Sequence, residues 1–171
     1  MISLPQLIIS IILSVTIGSP RQAVPNVDMS QMISELQDAA IQIAENAAAP
    51  DPDEVDLLAR LIYQEAGCDW IPDYVILWVG SVALNRVESD KYPDTLYEVI
   101  YDPGQYEPAI TGSISLPANE RCIRLAELLL REGSMLPPNV LGQCGWPTGS
   151  GVYATYYDEV LDTTIYFCII D

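Results

Sequence analysis

The residue best placed for chemistry in this sequence is Glu65, in the run Asp-Pro-Asp-Glu-Val-Asp-Leu-Leu-Ala-Arg-Leu-Ile-Tyr-Gln-Glu-Ala-Gly at positions 51–67. The run carries the signals of one helix. Asp51 can serve as N-cap, Pro52 suits the first helical position, Glu54 completes a capping box, and Gly67 supplies a left-handed stop. Val55, Leu58, Leu61 and Ile62 recur at helical spacing and make one apolar face. At about 100° per residue, Glu65 falls within roughly 20° of Leu58, in the middle of that face. A carboxyl aimed at a core loses the hydration of its charged form, so its pKa rises, which suits a general acid working near neutral pH. The competing arrangement is a side chain that curls out to water or pairs with Arg60 or Arg86, because buried acids are uncommon.

The elements that must position such an acid are bounded by length and composition. A chain of 171 residues is the size of one domain with short appendages, and half of its residues are hydrophobic, enough for a proper core. The formal net charge is −17, from 24 acidic and 7 basic side chains. That balance excludes nucleic acid as a partner, since displacing its counterions takes Lys and Arg, and it disfavours anionic lipid surfaces. There is no histidine, which removes Ser-His and Cys-His catalysis and every His-containing metal site. No phosphate-binding glycine loop and no metal-type cysteine spacing occurs, so chemistry without a cofactor or metal is expected.

Residues 4–17 form the one long uncharged apolar run, too short for an ordinary membrane span of about 20 residues. With its apolar centre at 7–17 it reads as an export signal, although no Lys or Arg precedes it and no Ala-x-Ala follows. Residues 1–26 are thus assigned to a signal peptide or anchor with its linker, and the protein to the secreted or wall-associated space. Membrane contact is expected through this segment alone. Cysteine usage agrees with export: Cys68, Cys122, Cys144 and Cys168 are even in number and spread out. Three pairings are open, with Cys68–Cys122 and Cys144–Cys168 preferred, against four reduced cysteines buried as small apolar residues.

Residues 27–50 read as a separate amphipathic helix and its break. Met32, Leu36, Ala40, Ile43 and Ala47 space out a narrow seam that could dock, pair with a second copy or act as a spacer, so the oligomeric state stays open. Within the remaining domain, 51–171, a second helix is expected at 72–88 with Val75, Trp78, Val79, Val82 and Asn85 on one face. A buried Asn must be hydrogen-bonded, and bracing the helix ends is its commoner use. A short helix at 95–100, a turn at Asp102-Pro103-Gly104, an irregular loop at 109–115 and a third long helix at 117–132 stopped by Gly133 follow. A loop from Pro137 to Gly151 leads to strands at 152–157 and 164–169, a hairpin. The expected class is α+β: mainly helical with a small C-terminal β-hairpin.

Three segments in this order resemble the SleB-type cell-wall hydrolases, the spore cortex-lytic, germination-associated family. They are Leu58 to Gly67, then Leu84-Asn85-Arg86-Val87, then Tyr92-Pro93 through Thr95-Leu96 and Val99-Ile100-Tyr101 to Pro103-Gly104-Gln105-Tyr106. The resemblance covers about 55–168. It implies a lysozyme-like fold and cleavage of peptidoglycan glycan strands, in characterised members as lytic transglycosylases. It also implies Glu65 as the catalytic acid, with Asn85 and Gln105 lining or supporting the groove. Many relatives have a second acid closely following the Glu-Ala pair, where Cys68-Asp69 stands here. The aromatic/His segment near the family's C-terminal strand is here Thr155-Tyr156-Tyr157, without His.

One acid suffices for a lytic transglycosylase, because the sugar's own 6-hydroxyl attacks and closes a 1,6-anhydro ring. Hydrolysis needs a second carboxylate, for which Asp69, Asp94, Asp102 and Glu107 are the local candidates. Tyr101, Tyr106, Trp70 and Trp146 are candidate sugar platforms, Tyr106 first among them. The expected function is therefore an exported peptidoglycan lytic enzyme. The alternatives are a muramidase-type hydrolase on the same fold and a non-catalytic wall-binding or structural protein.

Overall fold

The computed structural model describes residues 49–171, together with Ser30, Gln31, Ile33, Ser34, Glu35 and Gln37. These six are helical, and Gln31 Nε2 donates to Glu35 Oε1 at 3.0 Å, an i,i+4 contact. The signal segment and the apolar seam of the amphipathic helix lie outside the described residues. No described helix is long and apolar enough to cross a membrane.

Residues 49–171 form one unit. Its first helix, α1 (Pro52–Ala66), begins as its sequence signals require, with Pro52 in the first turn and Asp51 as cap. The cap bond runs from Asp53 N–H to Asp51 Oδ1 at 2.9 Å, two residues on and not to Glu54. Its end differs from expectation. Gly67 is not left-handed, with φ −80° and ψ 13°. Glycine is needed there for space, because a Cβ would run into the carbonyl and ring of Tyr63, whose oxygen accepts the Gly67 N–H at 2.9 Å.

Helix α2 (Asp73–Val87) is central and buries more than one face: Val75, Ile76, Val79, Val82 and Ala83 are all fully enclosed. It packs on α1, on α5 (Glu120–Glu132), on α3 (Leu96–Tyr101) and on β1 (Val140–Cys144). Gly80 permits the closest approach, since a Cβ there would lie 2.5 Å from Leu129 Cδ1 and 3.1 Å from Ile62 Cγ2. The one polar residue fully inside, Ser81, donates Oγ–H to Leu77 O at 2.7 Å and accepts from Met135 N–H at 2.9 Å. α3 is capped by Thr95 and α5 by Asn119, whose Oδ1 accepts from Cys122 N–H at 2.8 Å. Gly133, at φ 86°, ends α5 as its sequence requires.

Two elements depart from the expected loops. Residues Glu107–Thr111 form a short helix, α4, with Pro108 in its first turn and left-handed Gly112 closing it before a 3₁₀ turn at Ser113–Ser115. Residues Val140–Cys144 form β1, an additional strand. It joins β2 (Gly151–Asp158) and β3 (Thr163–Ile169) in an antiparallel sheet of order β1-β3-β2. Gly142 faces Cys168 and Cys144 faces Tyr166, with a bulge between Val140 and Gly142.

The cysteines depart as well. All four are free thiols, so neither Cys68–Cys122 nor Cys144–Cys168 is bonded in this structure. Cys144 Sγ instead donates to Trp146 O at 2.8 Å, and Cys122 sits fully buried in the first turn of α5 as a small core residue, its thiol pushed up to about 11 chiefly by burial.

Asn85 lies at the junction of these layers, 4% exposed, and its Nδ2 donates to Pro137 O at 2.8 Å and to Val140 O at 3.1 Å. It braces α2 against β1. Asn85→Ala should therefore lower unfolding stability by about 2 kcal/mol through two lost hydrogen bonds, although Pro137 O keeps a second donor in Val140 N–H at 2.9 Å. Urea titration reads this directly, and an unchanged midpoint would contradict the bracing role.

Candidate active site

Glu65 occupies the last turn of α1, where the apolar face of that helix meets α4 and β1. It neither curls away into water nor forms a salt bridge. Arg60 pairs with Asp56 at 3.0 Å, and Arg86 directs its Nε to Leu141 O at 2.8 Å. The Glu65 carboxyl is instead partly buried, with Oε2 accepting a hydrogen bond from Gln143 Nε2 at 3.1 Å. Its pKa is raised from 4.5 to about 7. Burial is the main cause, the charge of Glu107 adds to it, and the charge of Arg86 opposes both. At neutral pH the group is thus divided between acid and base, the condition for giving a proton and taking one back.

The carboxyl opens on a small cavity of 260 Å³ lined by Gln64, Glu65, Glu107, Pro108, Thr111 and Ser113. α4 supplies the far wall, and with it the second carboxylate. Of the four acids that could face Glu65, Glu107 is the one that lines this cavity. Asp69 borders a neighbouring depression, and Asp94 borders another, with Leu84 and Leu129.

Behind Glu65 stands a cluster of polar groups with unused hydrogen-bonding capacity. Arg86 Nη1, the Tyr106 hydroxyl and Gln143 Oε1 are all buried without a partner. The Arg86 guanidinium lies over the rings of Tyr106 and Tyr92, 4.9 and 5.1 Å from their centroids. Tyr106 is 4% exposed, and burial above all pushes its hydroxyl up to about 12, so it stays a neutral donor. Its enclosed ring offers no face to a sugar, which corrects the expectation that Tyr106 is the stacking platform. Its place is beneath Arg86, as part of the cluster's floor.

The other expected site residues divide. Asn85 braces β1 and does not border the Glu65 cavity. Gln105 is half-buried in the turn ahead of α4, its N–H closing on Asp102 O at 3.1 Å, and it does not border the cavity either. Gln143 is the residue that sequence reading missed. Its strand offers only Val140 and Leu141 ahead of a glycine, too short a run for alternation to register. Among the described residues no group of acids and cysteines is arranged to hold a metal ion.

Residues 75–139 match the family model described as Cell Wall Hydrolase. Among solved structures, the catalytic domain of the Bacillus cereus SleB protein is 21% identical, over 88% of this chain and 99% of that chain, at a TM-score of 0.50. The catalytic domain of the germination-specific lytic transglycosylase SleB from Bacillus anthracis is 20% identical, over 68% of this chain and 95% of that one, at a TM-score of 0.45. Among curated proteins none matches this sequence. The domain has the lysozyme-like α+β fold of the first of these structures. The matched family segment includes Asn85, Arg86, Tyr106 and Glu107, while Glu65 and Gln143 lie on either side of it.

The raised pKa of Glu65 has a stability signature of defined sign. The folded state favours the protonated carboxyl, so its contribution is complete below about pH 4.5 and is lost as pH rises through about 7. Glu65→Gln lacks that loss, so its stability relative to the parent should grow by up to about 3 kcal/mol between about pH 5 and pH 8. Denaturant titrations at both pH values test this; a pH-independent difference would place the carboxyl in water.

Proposed function

We propose that this protein is a SleB-type cell wall hydrolase and cuts the glycan strands of peptidoglycan at the MurNAc-GlcNAc bond as a lytic transglycosylase, with Glu65 as its single acid–base group. The observation that carries the reading is the neutral-leaning Glu65 carboxyl at the edge of an open cavity. Protonated Glu65 gives its proton to the glycosidic oxygen as the bond from the anomeric carbon to that oxygen breaks. The resulting carboxylate then takes the proton from the 6-hydroxyl of the same sugar, whose oxygen forms the new bond to the anomeric carbon. Glu65 ends as it began, and no water is consumed. Gln143, donating to Oε2, fixes the plane of the carboxyl and leaves Oε1 free to carry the proton.

A second reading draws support from Glu107. It lines the same cavity as Glu65, and a second carboxylate is what a muramidase-type hydrolase requires to activate water or attack the anomeric carbon. In the transglycosylase reading the charge of Glu107 serves instead to hold the Glu65 proton. Either reaction places the protein outside the membrane, the location for which the apolar residues 7–17 are suited as an export signal.

Mass spectrometry of muropeptides released from purified peptidoglycan separates the readings. Anhydro-muramyl ends from the parent, their loss in Glu65→Gln, and their persistence in Glu107→Gln support the transglycosylase. Reducing ends that vanish in both variants support hydrolysis. Release undiminished in Glu65→Gln would sink both. With the transglycosylase, Glu107→Gln should also move the alkaline limb of kcat/KM to lower pH, because a charge that raises the Glu65 pKa is gone.

A further inference from the structure

The depression next to the Glu65 cavity contains a surface residue that is held far more firmly than its exposure explains. Trp70, between α1 and α2, is 47% exposed. An isolated exposed aromatic is ordinary and needs no account. The account is needed for its tether. The indole Nε1–H donates to both carboxylate oxygens of Asp158, at 3.2 and 3.1 Å. Asp158, at the end of β2, is 3% exposed and also accepts from Val160 N–H at 2.9 Å and Leu161 N–H at 3.1 Å. Burial acts to raise its pKa, but the hydrogen bonds from Trp70, Leu161 and Val160 hold it below the usual carboxylate range. The acceptor thus stays charged and fixed, and a surface ring is locked at its polar edge.

The locked ring borders an open depression of 520 Å³ shared with Tyr63, Gln64, Asp69 and Asn119. Gln64 lines this depression and the Glu65 cavity alike, so the two are neighbours on either side of one residue. The lining combines an aromatic face with amides and a carboxylate. A pyranose ring has the matching chemistry: an apolar face of C–H bonds and a rim of hydroxyls and acetamido groups. An untethered Trp would lose rotamer freedom on stacking, and the Asp158 bonds remove that freedom beforehand.

We propose that Trp70, oriented by Asp158, is the stacking platform of a sugar subsite adjoining Glu65, and that it binds a pyranose of the glycan strand. The proposal rests on the reading of this protein as a glycan-cutting enzyme, and it moves the platform from Tyr106 to a residue outside the matched family segment. Asp158 is a positioning residue, acting through Trp70 and not on the sugar.

The test uses the full chain carrying Glu65→Gln, so that binding is read without cleavage, and peptide-free glycan strands from purified peptidoglycan as probe. Trp70→Ala should weaken binding about tenfold or more. Trp70→Phe, which keeps a ring but loses the tether, should fall between. Trp146→Ala, removing an indole that is 68% exposed but borders neither depression, should bind like its parent. Equal binding by Trp70→Ala overturns the proposal, as does an equal loss with Trp146→Ala.

A second measurement does not depend on the stability of any Trp70 variant. With Trp146→Phe added to Glu65→Gln, Trp70 is the more exposed of the two remaining indoles, since Trp78 is partly buried between Tyr74 and Phe167. Saturating glycan should shield it from acrylamide, and unchanged quenching counts against the platform. In the cleavage-competent chain, Trp70→Ala should raise KM while leaving kcat within about twofold. Trp70-dependent binding with no wall fragments from the parent would leave the platform standing and remove the Glu65 chemistry. Fragment release lost in Glu65→Gln alone, with Trp70→Ala equal to the parent in binding and KM, would do the reverse.

Discussion

Two consecutive side chains on α2 set the position of the first strand, and the site depends on that grip. Asn85 holds Pro137 O and Val140 O, and Arg86 holds Leu141 O. The strand so placed brings Gln143 to Glu65, the only direct hydrogen bond to that carboxyl among the described contacts. Arg86 therefore serves twice. One end of its guanidinium fixes β1, and the charge of the whole group reaches Glu65 and Tyr106. A salt bridge would have made Glu65 a permanent carboxylate. Committing Arg86 Nε to a backbone carbonyl and its face to two tyrosine rings keeps the carboxyl close to neutrality.

At Glu65 burial outweighs the one opposing charge. Burial and Glu107 favour the proton, Arg86 favours its loss, and the outcome near 7 lies where an acid–base group exchanges protons most readily. The unpartnered atoms behind it, on Arg86, Tyr106 and Gln143, would be a defect in a region that only had to be stable. They lie enclosed behind Glu65, and none of the three residues borders its cavity.

What the sequence reveals of this arrangement follows from length and locality. α1 and α5 are legible because cap, apolar spacing and stop all lie within one segment, and the misplacement of Glu65 is visible on the same helical wheel. The short elements are not legible. α4 is five residues opened by Glu-Pro and β1 is five residues interrupted by Gly142, so neither repeats its pattern often enough to stand out. Their conformation is imposed by tertiary partners, and they are the elements that deliver Glu107 and Gln143. Asn85 is legible as a buried amide that needs partners, but which carbonyls it meets is a long-range fact. The Tyr106 expectation failed for a related reason: an aromatic following a Pro-Gly turn looks exposed until α4 and Arg86 close over it.

The order of the sheet has a temporal meaning. β1 and β2 each pair with β3 and not with each other, so the latest of the three in the sequence is the one that joins them. A nascent chain that has made α1 through β2 already contains Glu65, Gln143, Trp70 and Asp158, yet neither strand has its hydrogen-bonding neighbour. Asn85 and Arg86 hold β1 from α2, but the sheet neighbour that β1 and β2 share arrives only with residues 163–169. A chain ending before residue 163 carries the residues of the candidate site without the strand that joins β1 to β2.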